Sequence, residues 1–94
     1  MIVRLMGEGQ WRVDDSLKAR LDELDDETER AVEAGDEQAL HAALRALHDA
    51  VRGAGEQLDH AHLGASDAVI PPDDLSLDEA RKLLAGEDVF PDVP

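Results

Sequence analysis

Residues 17–55 read LKARLDELDDETERAVEAGDEQALHAALRALHDAVRGAG, and their spacing decides the fold. Leu17, Leu21, Leu24, Thr28 and Ala31 recur at intervals of four, three, four and three. Those intervals place them on one stripe of an α-helix of roughly five turns, about 27 Å long at ~1.5 Å per residue. Gly35 ends this helix, and Asp36 offers an N-cap for a second one at once. Three residues after Asp36 stands Ala39 rather than Glu or Gln, so a reciprocal capping box is absent. Glu37 still suits the positive end of the helix dipole. The second helix repeats the pattern with Leu40, Leu44, Leu47, Val51 and Ala54, and Gly53 and Gly55 terminate it. Two matched stripes with almost no linker predict an antiparallel helical hairpin. Ala39, Ala42, Ala43, Ala46 and Ala50 leave the second helix small side chains over much of its remaining surface, open to a sheet or to another subunit.

Upstream, Ile2–Met6 and Gln10–Val13 are rich in β-forming residues, with Trp11 and Val13 on one face. Gly7, Glu8 and Gly9 lie between them. Glycine tolerates positive φ and glutamate does not, which predicts a β-hairpin with a three-residue turn and Gly9 left-handed. Asp14, Asp15 and Ser16 supply helix-start oxygens, Ser16 among the caps. Downstream, Glu56–Ser66 reads as a loop. A third short strand is a candidate near 67–70, at an edge beside the hairpin, because Pro71 and Pro72 block further ladder bonds. Ser76 caps a third helix with Glu79 as its capping-box partner, burying Leu77, Ala80, Leu83 and Leu84; Gly86 stops it, and Phe90 anchors an extended tail. The fold class is α+β: an N-terminal β-hairpin, an antiparallel two-helix hairpin and a short C-terminal helix, forming a single domain over 1–94.

Composition narrows the function classes. The chain has 94 residues, 23 acidic and 9 basic, for a net charge of −14, and no cysteine. Disulfides and thiolate metal sites are excluded. A charge of this sign argues against direct contact with nucleic acid or an anionic membrane surface. It favours a basic partner or heavy solvation, as in a halophilic host. No apolar run approaches the roughly 20 residues of a membrane span, and MIVRLM is too short for a signal peptide, so a cytoplasmic protein without membrane insertion is expected.

Catalytic and metal-binding patterns are thin. His41 and His48 share a face of the second helix with Arg45 and Arg52, which repel a cation; that face reads as solvated or salt-bridging. His60 and His62, with Asp59, form the run DHAH, short of the three or four oriented ligands that zinc requires. Solvated carboxylates on a narrow hairpin offer no dry pocket for acid–base work. GEG lacks the lysine and following helix of a phosphate loop. No catalytic residue, cofactor or metal ligand is assigned, and a non-enzyme is expected. Trp11 reads first as a core anchor joining the hairpin to the helices, with an interface hot spot as the alternative.

Three segments carry a resemblance. The N-terminal MIVRLMGEGQWRVDD, the central LDELDD…AVEAGDE and the closing SDAVIPPDDLSLDEARKLL resemble the PspA-associated family, PspAA, in matching order over nearly the whole chain. That family comprises small acidic proteins of archaea and actinobacteria encoded beside phage shock protein A. The resemblance implies a partner or modulator of that coiled-coil protein in the envelope-stress response, either free in the cytoplasm or recruited to the inner membrane face through its partner. It brings no catalytic residues. The assignment of Glu8, Gly9, Gln10 and Trp11 to partner contact is an inference from this sequence. Two other readings compete: a metal- or ligand-responsive sensor built on the loop histidines His60 and His62, and a self-assembling homo-oligomer packed through the alanine flank.

Overall fold

A computed structural model describes residues 1–59 and 64–84. Strands β1 (Ile2–Leu5) and β2 (Gly9–Arg12) form the hairpin, pairing Val3 with Trp11 and Leu5 with Gly9. Its turn is one residue earlier than the sequence pattern indicates. Met6 leaves the strand because Gly7, at φ 88°, takes the left-handed third position of a turn closed by the Glu8 N–H donating to the Leu5 carbonyl at 2.9 Å. Gly9 is left-handed as expected, at φ 91°. Val13 lies past the end of β2, yet it stays buried and exchanges two bonds with Met1: the Val13 N–H donates to the Met1 carbonyl, and the N-terminal ammonium donates to the Val13 carbonyl.

Helix α1 (Lys18–Ala34) is preceded by a 3-10 turn at Asp15–Leu17. Asp14 caps that turn by accepting from the Ser16 N–H at 2.8 Å. Ser16 is therefore inside the turn and is not the cap. Leu21, Leu24 and Ala31 are buried as the stripe requires, and Val32 joins them. Leu17 and Thr28 are only half-buried. The Thr28 hydroxyl donates back to the Leu24 carbonyl at 2.9 Å, a local bond that satisfies it without burial. Gly35, at φ 69°, closes the helix: its N–H reaches the Val32 carbonyl and the Asp36 N–H reaches that of Ala31, the paired bonds of a Schellman motif. Asp36 then caps helix α2 (Glu37–Ala54) through the Ala39 N–H at 3.0 Å. With two residues between them, α1 and α2 pack as an antiparallel hairpin.

The buried arc of α2 is Leu40, Ala43, Leu44, Leu47, His48 and Val51. These positions follow the i, i+3, i+4, i+7, i+8 rule of a globular helix, a wider arc than the single seam read from the sequence. Ala54, expected in the seam, is exposed, because the helix is already ending. Gly53 lies inside α2 and Gly55 alone stops it.

Two further strands complete a sheet of order β3-β2-β1-β4. Strand β3 (Glu56–Gln57) falls in the segment read as loop; it has no apolar pattern and is held by backbone pairing to Trp11 and Arg12. Strand β4 (Ala68–Ile70) is the edge strand expected before Pro71, and it runs parallel to β1, as the long connection through the helices permits. Helix α3 (Leu77–Leu84) begins at Ser76, whose hydroxyl accepts from the Glu79 N–H at 3.1 Å and donates to its carboxylate at 3.0 Å. Glu37 of α2 accepts from the Leu77 N–H, tying the two helix starts together. Ala80 is buried and Leu77 is partly buried against the core. The side chains of Leu83 and Leu84, together with Gly86, Phe90, His60 and His62, lie outside the described residues. The centre of the molecule is Val3 and Leu5 from the sheet against Leu24, Leu40, Leu44 and Val51 from the helices, all essentially inaccessible to solvent.

Candidate protein-interaction surface

The hairpin turn does not project freely. The Glu8 carboxylate stands over the last turns of α2, with Oε2 2.8 Å from His48 Nδ1 and Oε1 2.8 Å from Arg52 Nη1. Arg52 spends its other nitrogen on Asp49 at 3.0 Å. His48 is 3% exposed, and its Nε2 lies 2.7 Å from the Pro71 carbonyl. Both ring nitrogens thus face oxygen acceptors, and donation to both at once needs a proton on each. The bond from His48, followed by the positive charge and hydrogen bond of Arg52, holds the Glu8 carboxyl below its ordinary value against a partial desolvation that works the other way.

The second-helix face read as solvated or salt-bridging is therefore only half so. Arg52 is salt-bridged and Arg45 stands 3.9 Å from Asp73. His48, however, is a core residue, and half-buried His41 meets the Leu75 carbonyl at 2.9 Å. The physical reason is the Pro71–Leu75 segment after β4, which folds across this face and presents backbone carbonyls to both imidazoles.

The other three residues singled out around the turn have different fates. Gln10 is buried, its amide nitrogen donating to the Gly64 carbonyl and to the Ser66 hydroxyl, both at 2.8 Å. Gly9 pairs opposite Leu5. Trp11 is half-buried against the core, opposite Val3 on one side and Gln57 on the other, with its indole N–H secluded and lacking an acceptor among the described residues.

Beside the hairpin end lies a groove of about 460 Å³ between α1 and β4. Its floor is Leu21, Val32, Leu44, Leu47, Ile70 and Leu75. Met6 and Pro71 stand at the end near the hairpin turn, where the Met6 N–H donates to the Ile70 carbonyl at 3.0 Å. Along the α1 side run Asp22, Asp25 and Glu29. Asp22 is paired with Lys18 at 2.9 Å; Asp25 and Glu29 form no ion pair among the described residues. Partial burial, with the charges of Asp26 and Asp22 added, pushes the Asp25 carboxyl above its ordinary value. Among the described residues no three or more His, Asp or Glu side chains gather to hold a metal ion, and no helix is long and apolar enough to cross a membrane.

Every element in this geometry falls within residues 1–92, the span matched by the model of the PspA-associated protein family, PspAA. The chain belongs to the PspAA family. No curated protein and no solved structure matches it. The match runs from β1 through α3, so the hairpin turn, the His48 cluster and the groove all belong to the PspAA region.

Two features of this PspAA chain escaped the sequence reading, and each left a trace there. His48 stands four residues after Leu44 and eight after Leu40, which is the buried arc rather than the outer face. Asp22, Asp25 and Glu29 follow a helical interval alongside Leu21 and Thr28, so they line one edge of an apolar stripe.

Proposed function

We propose that this PspAA chain is a non-enzymatic partner of phage shock protein A, modulating the envelope-stress response by protein–protein contact on the cytoplasmic side of the membrane. The observation that carries this reading is the family match over residues 1–92, whose description names association with PspA. The electrostatics agree with it: a net charge of −14 draws a basic surface by long-range attraction and repels phosphate-bearing partners. The hairpin end, Glu8 to Trp11, is the proposed contact. Because Glu8 and Gln10 already bond within the chain, what this end offers a partner is the turn backbone around Gly9 and the uncovered part of the Trp11 indole.

The test is retention of a phage shock protein A homologue on the immobilised chain at low and at moderate salt. Retention at low salt that weakens at moderate salt is expected, since charges more than about 10 Å apart are screened at ~0.1 M. Absence of retention at both concentrations overturns the reading.

A further inference from the structure

We infer that the groove between α1 and β4 docks a short amphipathic helix of a partner protein, one that presents large apolar anchors and carries arginine or lysine along a single edge. The inference rests on the partner reading above and adds a second contact surface beside the hairpin end.

The groove has the volume of a site that takes a few large side chains, and its floor is apolar throughout. Its two sides differ. On the α1 side, Asp22, Asp25 and Glu29 succeed one another at helical intervals, while the β4 side is Ala68, Val69 and Pro71. An anchor helix laid along it meets acid on one edge and hydrocarbon on the other, which fixes its orientation as well as its charge. Among the described residues Asp25 and Glu29 have no cation paired with them, and Asp25 is crowded by Asp22 and Asp26. In the free protein this crowding is unfavourable, and an arriving guanidinium or ammonium relieves it.

Alternative occupants match less well. A second copy of the chain brings another net charge of −14. The chain's own residues 85–94 contain Glu87, Asp88 and Asp92 and no basic residue, so they set acid against the acidic rim.

The experiment titrates the full isotope-labelled chain with a synthetic amphipathic peptide of about 20 residues, long enough to be helical. Leucines repeat at helical intervals, and arginines line one edge of the leucine stripe. A control peptide carries glutamate in place of arginine. Amide shifts centred on Met6, Thr28, Val32 and Val69 are expected with the arginine peptide. Affinity should fall about tenfold or more for the glutamate peptide, and by a similar factor for the double variant Asp25→Lys/Glu29→Lys. Both substituted positions keep much of their surface open to solvent on α1, with the Asp25 carboxyl partly enclosed at the groove edge, and circular dichroism of the variant checks that it folds.

Shifts that map elsewhere, or equal affinity for wild type and the double variant, overturn the inference. So do concentration-dependent groove shifts without peptide, which assign the groove to a second copy. Retention of phage shock protein A by wild type and double variant alike removes the groove and leaves the partner reading standing. Peptide binding at the groove by a chain that retains no phage shock protein A does the reverse.

Discussion

The Glu8 carboxylate of the hairpin turn reaches His48 on α2 at 2.8 Å, 40 positions away in sequence, and joins the sheet to the helical hairpin at a point where the imidazole is almost wholly enclosed. Pro71 takes the other ring nitrogen. One histidine therefore ties together the turn between β1 and β2, the last turns of α2 and the end of β4.

Glu8→Ala should expose the value of that tie. The substitution leaves His48 Nδ1 enclosed without its acceptor and removes one of the two carboxylates on Arg52. A buried group deprived of its partner costs about 1–3 kcal/mol. Urea denaturation should show a loss in that range, whereas Glu8→Gln, which keeps an oxygen in place, should lose less. Equal stability of Glu8→Ala and wild type would mean that the bond contributes nothing net.

The acid limb of stability should separate two carboxylates by sign. Glu8 titrates below its unfolded value of 4.5, so its contribution is present above that value and is lost as pH falls through the lower folded value. Asp25 titrates above its unfolded value of 3.8, so its ionised form is a burden at neutral pH that lifts as pH falls through the raised folded value. Denaturation curves from neutral to acid pH should show Glu8→Gln with a shallower acid loss than wild type. Asp25→Asn should match or exceed wild-type stability at neutral pH, and its advantage should vanish in acid. The opposite ordering of the two variants contradicts the burial and pairing described for these side chains.

Gly55 and Gly53 make a matched pair. A Cβ on Gly55 would stand 2.7 Å from Val13 Cγ1 and 2.7 Å from the Val51 carbonyl oxygen, where α2 ends against the strand β2. Gly55→Ala should cost about 1–3 kcal/mol through overpacking. A Cβ on Gly53 meets nothing within 4 Å, and the residue is inside the helix. Gly53→Ala should stabilise by about 0.5–1 kcal/mol, because alanine loses less backbone freedom. Thermal melts of the two variants should move in opposite directions.

The sequence by itself determined the local elements. Apolar intervals of three and four set α1 and α2, Gly35 and Asp36 set the reversal between them, and the serine–glutamate pair at 76 and 79 set the start of α3. Each of these signals acts within a turn or two of chain, where helical geometry alone fixes which side chains meet. Tertiary structure decided what is made of distant partners. Nothing local marks Glu56–Gln57 as a strand, because its only reason to be extended is the open edge of β2 beside it. Nothing local makes His48 a core residue with two oxygen neighbours, since one arrives from the hairpin turn and the other from Pro71. The groove is a property of the gap between α1 and β4, and a gap belongs to the packing of elements rather than to any of them.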